Sequence, residues 1–217
     1  MKKIALMIAI VLLATACKEK APEAAVAQDT SEPESTPVEE VTVQSAAPAS
    51  SVAFSKEFDL HGVHFVVKAT NNGSMNTLTI TPSGLSEVND VITREIEGTV
   101  TGAEIADINV DGSPEIYVWV NSAGSGSYAI PIGYSANNKK SLSEIYFPPI
   151  SDDKLNGKGY MGHDEFAVVE NTVVQRFPIY NDGDVNAHPG GKTRQLQYKL
   201  AQGEASWAMK LDKVVEY

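Results

Sequence analysis

The chain predicts an all-β domain, an antiparallel β-sandwich or barrel-like fold, placed after a disordered tether. Three observations carry this prediction. Apolar residues alternate with period two in many short runs, no stretch sustains a helical period, and turn-forming residues separate the runs. Successive side chains of a strand point to opposite faces, so each alternating run offers one face for burial.

The elements follow in order. Val63, Phe65 and Val67 share one strand face, and Leu78 and Ile80 share another with Thr77, Thr79 and Thr81 opposite. Residues 85–97 are compatible with a short helix. Ile116, Val118 and Val120 alternate with Tyr117 and Trp119, and Ala129 to Tyr134 reads as the following strand. Residues 148–162, with Pro148, Pro149 and three glycines, read as a long loop. Leu196, Tyr198 and Leu200 form a further set, and Trp207, Met209 and Leu211 the last one. Turn signals stand at Asn72-Gly73, Pro82-Ser83-Gly84, Asp111-Gly112, Asn137-Asn138, Asp182-Gly183 and Pro189-Gly190-Gly191.

Before the domain the chain is of two other kinds. Residues 1–16 have a positive start at Lys2 and Lys3 and an apolar run from Ile4 to Ala14. That run is too short for a spanning helix and reads as a signal peptide. Cys17 follows small residues in the manner of a bacterial lipobox, which would make it a lipidation site. Ordinary secretion with a chance cysteine is the plainer alternative. It is the only cysteine, so no intramolecular disulfide forms. With Lys18 next to it, sorting rules for such lipoproteins favour the outer membrane facing the periplasm, held by acyl chains alone. Residues 17–52 are rich in Ala, Pro, Glu and Ser, lack aromatic residues, and cannot offset their chain entropy by burial. They read as a tether. The folded domain is then 53–217.

Charge narrows the partners. The chain carries 17 Lys+Arg and 28 Asp+Glu; four and seven of these precede residue 53, which leaves 13 against 21, a formal −8 for the domain. Nucleic acid and acidic phospholipid are poor partners for such a surface, and a basic protein is a good one. The sequence leaves self-association open.

Two loops stand out. Asp107-x-Asn109-x-Asp111-Gly112-x-x-Glu115 resembles the first nine positions of a calcium loop, with oxygen ligands at alternate places and glycine at the sharp turn. The twelfth place is Val118, so the bidentate glutamate is missing. The same residues suit an Asx-rich hairpin turn whose side chains cap their own backbone. No cofactor is required on either reading, and Ca2+ is compatible with the first. His61 and His64 are three apart, which puts them on opposite faces of a strand and makes a shared metal a poor fit.

The second loop is Asn121-Ser122-Ala123-Gly124-Ser125-Gly126-Ser127-Tyr128. A small, flexible loop between two rigid strands can protrude, with the hydroxyls of Ser125, Ser127 and Tyr128 free to enter another protein's cleft. A glycine-rich hairpin with Tyr128 packed in phase with Ile130, Ile132 and Tyr134 is the competing reading. There is no zinc pattern, phosphate loop or serine elbow, since Gly124-Ser125-Gly126-Ser127 lies between two strands.

Three blocks occur in order: Asp107 to Glu115, Ser122 to Tyr128, and Ser141-Leu142-Ser143-x-Ile145-Tyr146. Further blocks are Arg176-Phe177-Pro178-Ile179-Tyr180, Gly190-Gly191-x-Thr193-Arg194-Gln195 and Gly203-Glu204-Ala205-Ser206-Trp207. Together they resemble the periplasmic inhibitors of invertebrate-type lysozyme, over about two-thirds of the domain. The resemblance implies an antiparallel β-sandwich that is no enzyme and that inserts Ser125-Gly126-Ser127-Tyr128 into the cleft of a lysozyme, a basic glycoside hydrolase. Ser125 and Tyr128 would be the inhibitory residues. Family members are commonly free in the periplasm, whereas this chain has the features of an anchored one. A calcium-binding envelope or adhesion module built on Asp107–Glu115 is the alternative function, and a wall hydrolase with dispersed carboxylates a weaker third.

Overall fold

A computed structural model describes residues 53–217. The signal peptide, the Cys17 lipidation site and the tether expected over residues 1–52 lie outside the described residues.

Among the described residues, twelve strands form three four-stranded antiparallel sheets, each a meander of consecutive strands. The first holds β1 (Phe54–Leu60), β2 (Val63–Ala69), β3 (Met75–Ser83) and β4 (Ile92–Glu97). The second holds β5 (Thr99–Ala106), β6 (Glu115–Asn121), β7 (Ala129–Asn137) and β8 (Ser141–Glu144). The third holds β9 (Glu165–Val169), β10 (Thr172–Pro178), β11 (Thr193–Gln202) and β12 (Trp207–Glu216). The all-β antiparallel class expected from the alternation is the class observed.

The helix expected within 85–97 is absent. Asn89 closes a turn on Leu85, accepting from its N–H at 2.9 Å and donating to its carbonyl at 2.7 Å. The chain then enters β4, where Ile92 packs against the core and Ile96 is buried within it. Period two and the β-branched residues Ile92 and Thr93 outweigh any helical tendency there. The long loop over 148–162 is observed, with a single 3₁₀ turn at Ile150–Asp152.

A two-layer sandwich needs one core; this domain has two. Val63, Phe65, Val67 and Ile80 from the first sheet pack on Ile116, Val118 and Val120 of β6. Tyr117 and Trp119, on the opposite face of the same strand, pack with Val173, Phe177 and Leu196 of the third sheet. The second sheet is therefore the shared middle layer, which is why β6 is buried at six consecutive residues. The two faces differ in chemistry: β-branched residues point to one core and aromatic residues to the other. Tyr117 stacks on Trp119 with centroids 5.7 Å apart, and Trp119 stacks on Phe166 at 5.6 Å.

Candidate functional site

The β6–β7 hairpin places Ser122–Tyr128 at its tip. Asn121 pairs with Ala129 in the last rung of the ladder. Beyond it, Ser122 N–H donates to the Tyr128 carbonyl at 2.9 Å. The Ser122 hydroxyl oxygen accepts from Tyr128 N–H at 3.0 Å. Ser127 N–H reaches the Gly124 carbonyl at 3.0 Å, and Ser127 takes φ 44° to make the turn. Ser122 is thus the clasp of the loop, a role its composition did not reveal.

The loop is not free at its sides. Gly126 O accepts from His163 N–H at 2.8 Å, and Ser125 O accepts from Asn186 Nδ2 at 2.7 Å. Asp164 Oδ1 accepts from Ala129 N–H at 2.8 Å, just where the loop rejoins the sheet. Close approach of the two segments requires Gly162, which sits at φ +87° and has no room for a Cβ against the Gly126 carbonyl. The flexible loop expected from composition is in fact clamped between segment 162–164 and Asn186.

The clamps use main-chain N–H and carbonyl groups and leave the hydroxyls of Ser125 and Tyr128 unused. Ser125 is exposed, and Tyr128 is 44% exposed. Tyr128 does not continue the inward phase of Ile132 and Tyr134. Its ring folds back over Gly126, where a Cβ would overlap it, and meets Tyr160 edge-on at 5.6 Å. Tyr160 in turn meets the buried Phe177 at 4.9 Å, so the tyrosine stands on the second core while its outer side remains open.

Asp164 organises the base of the site. It is buried, bonds Ala129 N–H through one oxygen, and accepts from Gln175 Nε2 through the other at 2.7 Å. Burial pushes its carboxyl above the usual range, against the pull of the Ala129 N–H, Gln175 and Tyr160 hydrogen bonds. Burial likewise raises the Tyr160 and Tyr198 phenols, with the nearby Asp164 charge adding to both. Both therefore remain protonated donors. Asp164 and Tyr160 were not singled out from sequence. Their one trace is the glycine-rich run that precedes them, which indicates a close backbone approach without saying to what.

The acidic loop is arranged differently. Asp107 accepts from Asp111 N–H at 3.0 Å and from Gly112 N–H at 2.9 Å, and Asp111 accepts from Ser113 N–H at 2.8 Å. Asn109 Nδ2 donates to Asp111 Oδ2 at 2.8 Å. Glu115, the ninth position of the motif, is fully buried, accepting from Ile108 N–H at 3.0 Å and lying 3.2 Å from the Ser135 hydroxyl. Its carboxyl is pushed up to about 8, chiefly by burial and further by Asp111 and Asp107. Among the described residues no three His, Cys, Asp or Glu side chains are grouped to hold a metal ion. His61 and His64 do not converge: His61 faces Asp107 at 3.4 Å and His64 faces Asp59 at 3.0 Å.

Comparison of the chain with known protein families, curated proteins and solved structures returned no match. The site presents an ordered hairpin tip with an exposed serine, a partly exposed tyrosine and an acidic domain behind it.

Proposed function

We propose that this protein is an inhibitor of lysozyme, of the invertebrate type by its motif resemblance, and that Ser122–Tyr128 is the segment that enters the enzyme's cleft. One observation carries the reading: the loop is ordered before it binds, by contacts that spare the groups it would use. A protruding segment that is already fixed loses little conformational entropy on docking, so more of its contact energy appears as affinity. Ser125 can donate to a catalytic carboxylate, and such a charge-assisted bond is about twice as strong as a neutral one. Tyr128 supplies aromatic contact area with one polar tip, as interface anchors do. The formal −8 of the domain speeds its encounter with a basic enzyme. On this reading the protein has no catalytic activity, and Cys17 anchors it to the envelope on the periplasmic side.

The test is a lysis assay with invertebrate-type, chicken-type and goose-type lysozymes. The wild-type protein should inhibit the invertebrate type selectively and saturably. Ser125→Ala combined with Tyr128→Ala should lower that inhibition by at least 100-fold; the melting temperature should fall only modestly, since Ser125 is exposed and Tyr128, though packed edge-on against Tyr160, is 44% exposed. Wild-type potency in the double variant would rule the loop out.

A further inference from the structure

Beside the loop, but distinct from its outward face, a cleft of about 390 Å³ opens between the β7 edge and the 147–151 segment. Its walls include Tyr128, Phe147 and Phe166, and its floor is Gln175 and Tyr198. This volume is in the range of small-molecule sites, roughly 300 to 1,000 Å³. No Asp, Glu, Lys or Arg lines it. An ion would have to leave its hydration shell for apolar walls with no counter-charge, so the cleft selects against charged ligands.

The floor adds a second, independent requirement. Gln175 and Tyr198 are 4% and 5% exposed, and they are bonded to each other: Tyr198 Oη donates to Gln175 Oε1 at 3.1 Å. Gln175 Nε2 spends one proton on Asp164 Oδ2 at 2.7 Å. A phenol has one proton and spare lone pairs, and a carboxamide has two N–H groups. One acceptor on Tyr198 and one donor on Gln175 therefore remain, side by side at the bottom of an aromatic cleft. Asp164 fixes the orientation of the amide, so the donor and acceptor are not interchangeable.

We infer that this cleft is a binding site for an uncharged, mostly flat apolar molecule with a single hydrogen-bonding head, inserted head-first toward Gln175 and Tyr198. The assignment does not depend on the loop being an inhibitor. Tyr128 belongs to both features, forming a wall here and an exposed anchor there, so occupancy would also stiffen the ring that the loop presents.

The neutral fluorophore 1-N-phenylnaphthylamine has this shape, with aromatic rings and one N–H. Titrated into the full chain, it should give a saturable single-site rise in fluorescence. Ile130 lines the mouth and is 42% exposed, so Ile130→Glu should be tolerated by the fold while placing a carboxylate in the entrance. That variant should bind at least tenfold more weakly at an unchanged melting temperature. Val88→Glu, at a position 44% exposed and outside the cleft, should bind like wild type. All three proteins carry the same N-terminal segment, so any dye it takes up is common to them. Ser151→Glu, at an exposed position on the same lining, replaces Ile130→Glu if the latter melts early. No saturable binding by wild type, equal binding by the mouth variant, or equal weakening by Val88→Glu would each overturn the assignment.

Discussion

The β6–β7 loop and the acidic Asp107–Glu115 loop adjoin opposite ends of the same strand and use their polar groups in opposite ways. The acidic loop turns its side chains on itself: Asp107 and Asp111 satisfy the loop's own N–H groups, and Glu115 is drawn into the interior. The serine–glycine loop is held from outside, by His163, Asp164 and Asn186, and those holds make no use of its Ser125 and Tyr128 hydroxyls. A loop that consumes its own functional groups is a structural corner. One whose order is supplied by neighbours keeps its side chains for a partner. That contrast, more than composition, favours the second loop as the functional one.

The largest effect that sharpens the comparison concerns Glu115. Its folded carboxyl titrates at about 8, against an ordinary value of 4.5. Between these values the unfolded chain releases the proton and the folded one keeps it, so stability falls as pH rises from 4.5 to about 8 and is level above. The loss is on the order of 5 kcal/mol. Glu115→Gln keeps the shape without the ionisation, so its urea midpoint should decline much less across that window than the wild type's, the remaining decline coming from other raised carboxyls such as Asp164. Parallel curves for the two proteins would contradict the buried, proton-holding role.

The glycine that lets a neighbouring segment clamp the β6–β7 loop also differs from the glycine within the acidic loop. Gly162 has positive φ and a blocked Cβ position, whereas Gly112 has φ +82° with open space around it. Gly162→Ala should cost about 3 kcal/mol, since conformational strain and steric overlap both act. Gly112→Ala should cost only about 1 kcal/mol, the price of the left-handed conformation alone. Chemical denaturation of both variants measures the gap, and equal losses would mean that the 162–126 approach is not a constraint. The smallest effect is that of Asn186→Ala. Losing its bond to Ser125 O should cost about 1 kcal/mol or less overall. The local effect should be clearer: amide exchange at Ser127 and Tyr128 accelerates, and lysozyme inhibition weakens several-fold. Unchanged exchange would show that His163 alone suffices to hold the loop.

The fold class was legible because alternation is a local signal, and strands such as Val63–Val67 carry it undiluted. That β6 serves two cores was half legible. Ile116, Val118 and Val120 against Tyr117 and Trp119 leave no polar face at all, which is the mark of a strand covered on both sides. The helix expected in 85–97 failed because a turn made by the Asn89 side chain precedes β4. At the loop, Ser125 to Tyr128 were visible as a motif, but their fixation was not. His163 and Asn186 lie far along the chain, and both bond main-chain oxygens, which every residue possesses. Such partners leave nothing in the sequence of the loop itself. Asp164 was hidden for the same reason, with Ala129 N–H 35 residues before it.

The meander order of the three sheets has a consequence for how the molecule assembles. Within each sheet every strand pairs with its neighbour in sequence, so no strand of a later sheet has to be inserted between strands of an earlier one. The first sheet has only one apolar face and finds its cover in the next four strands to leave the ribosome. Those strands then present a finished aromatic surface, on which the last four can condense. Synthesis from the N-terminus thus delivers each layer in the order in which the previous one needs it.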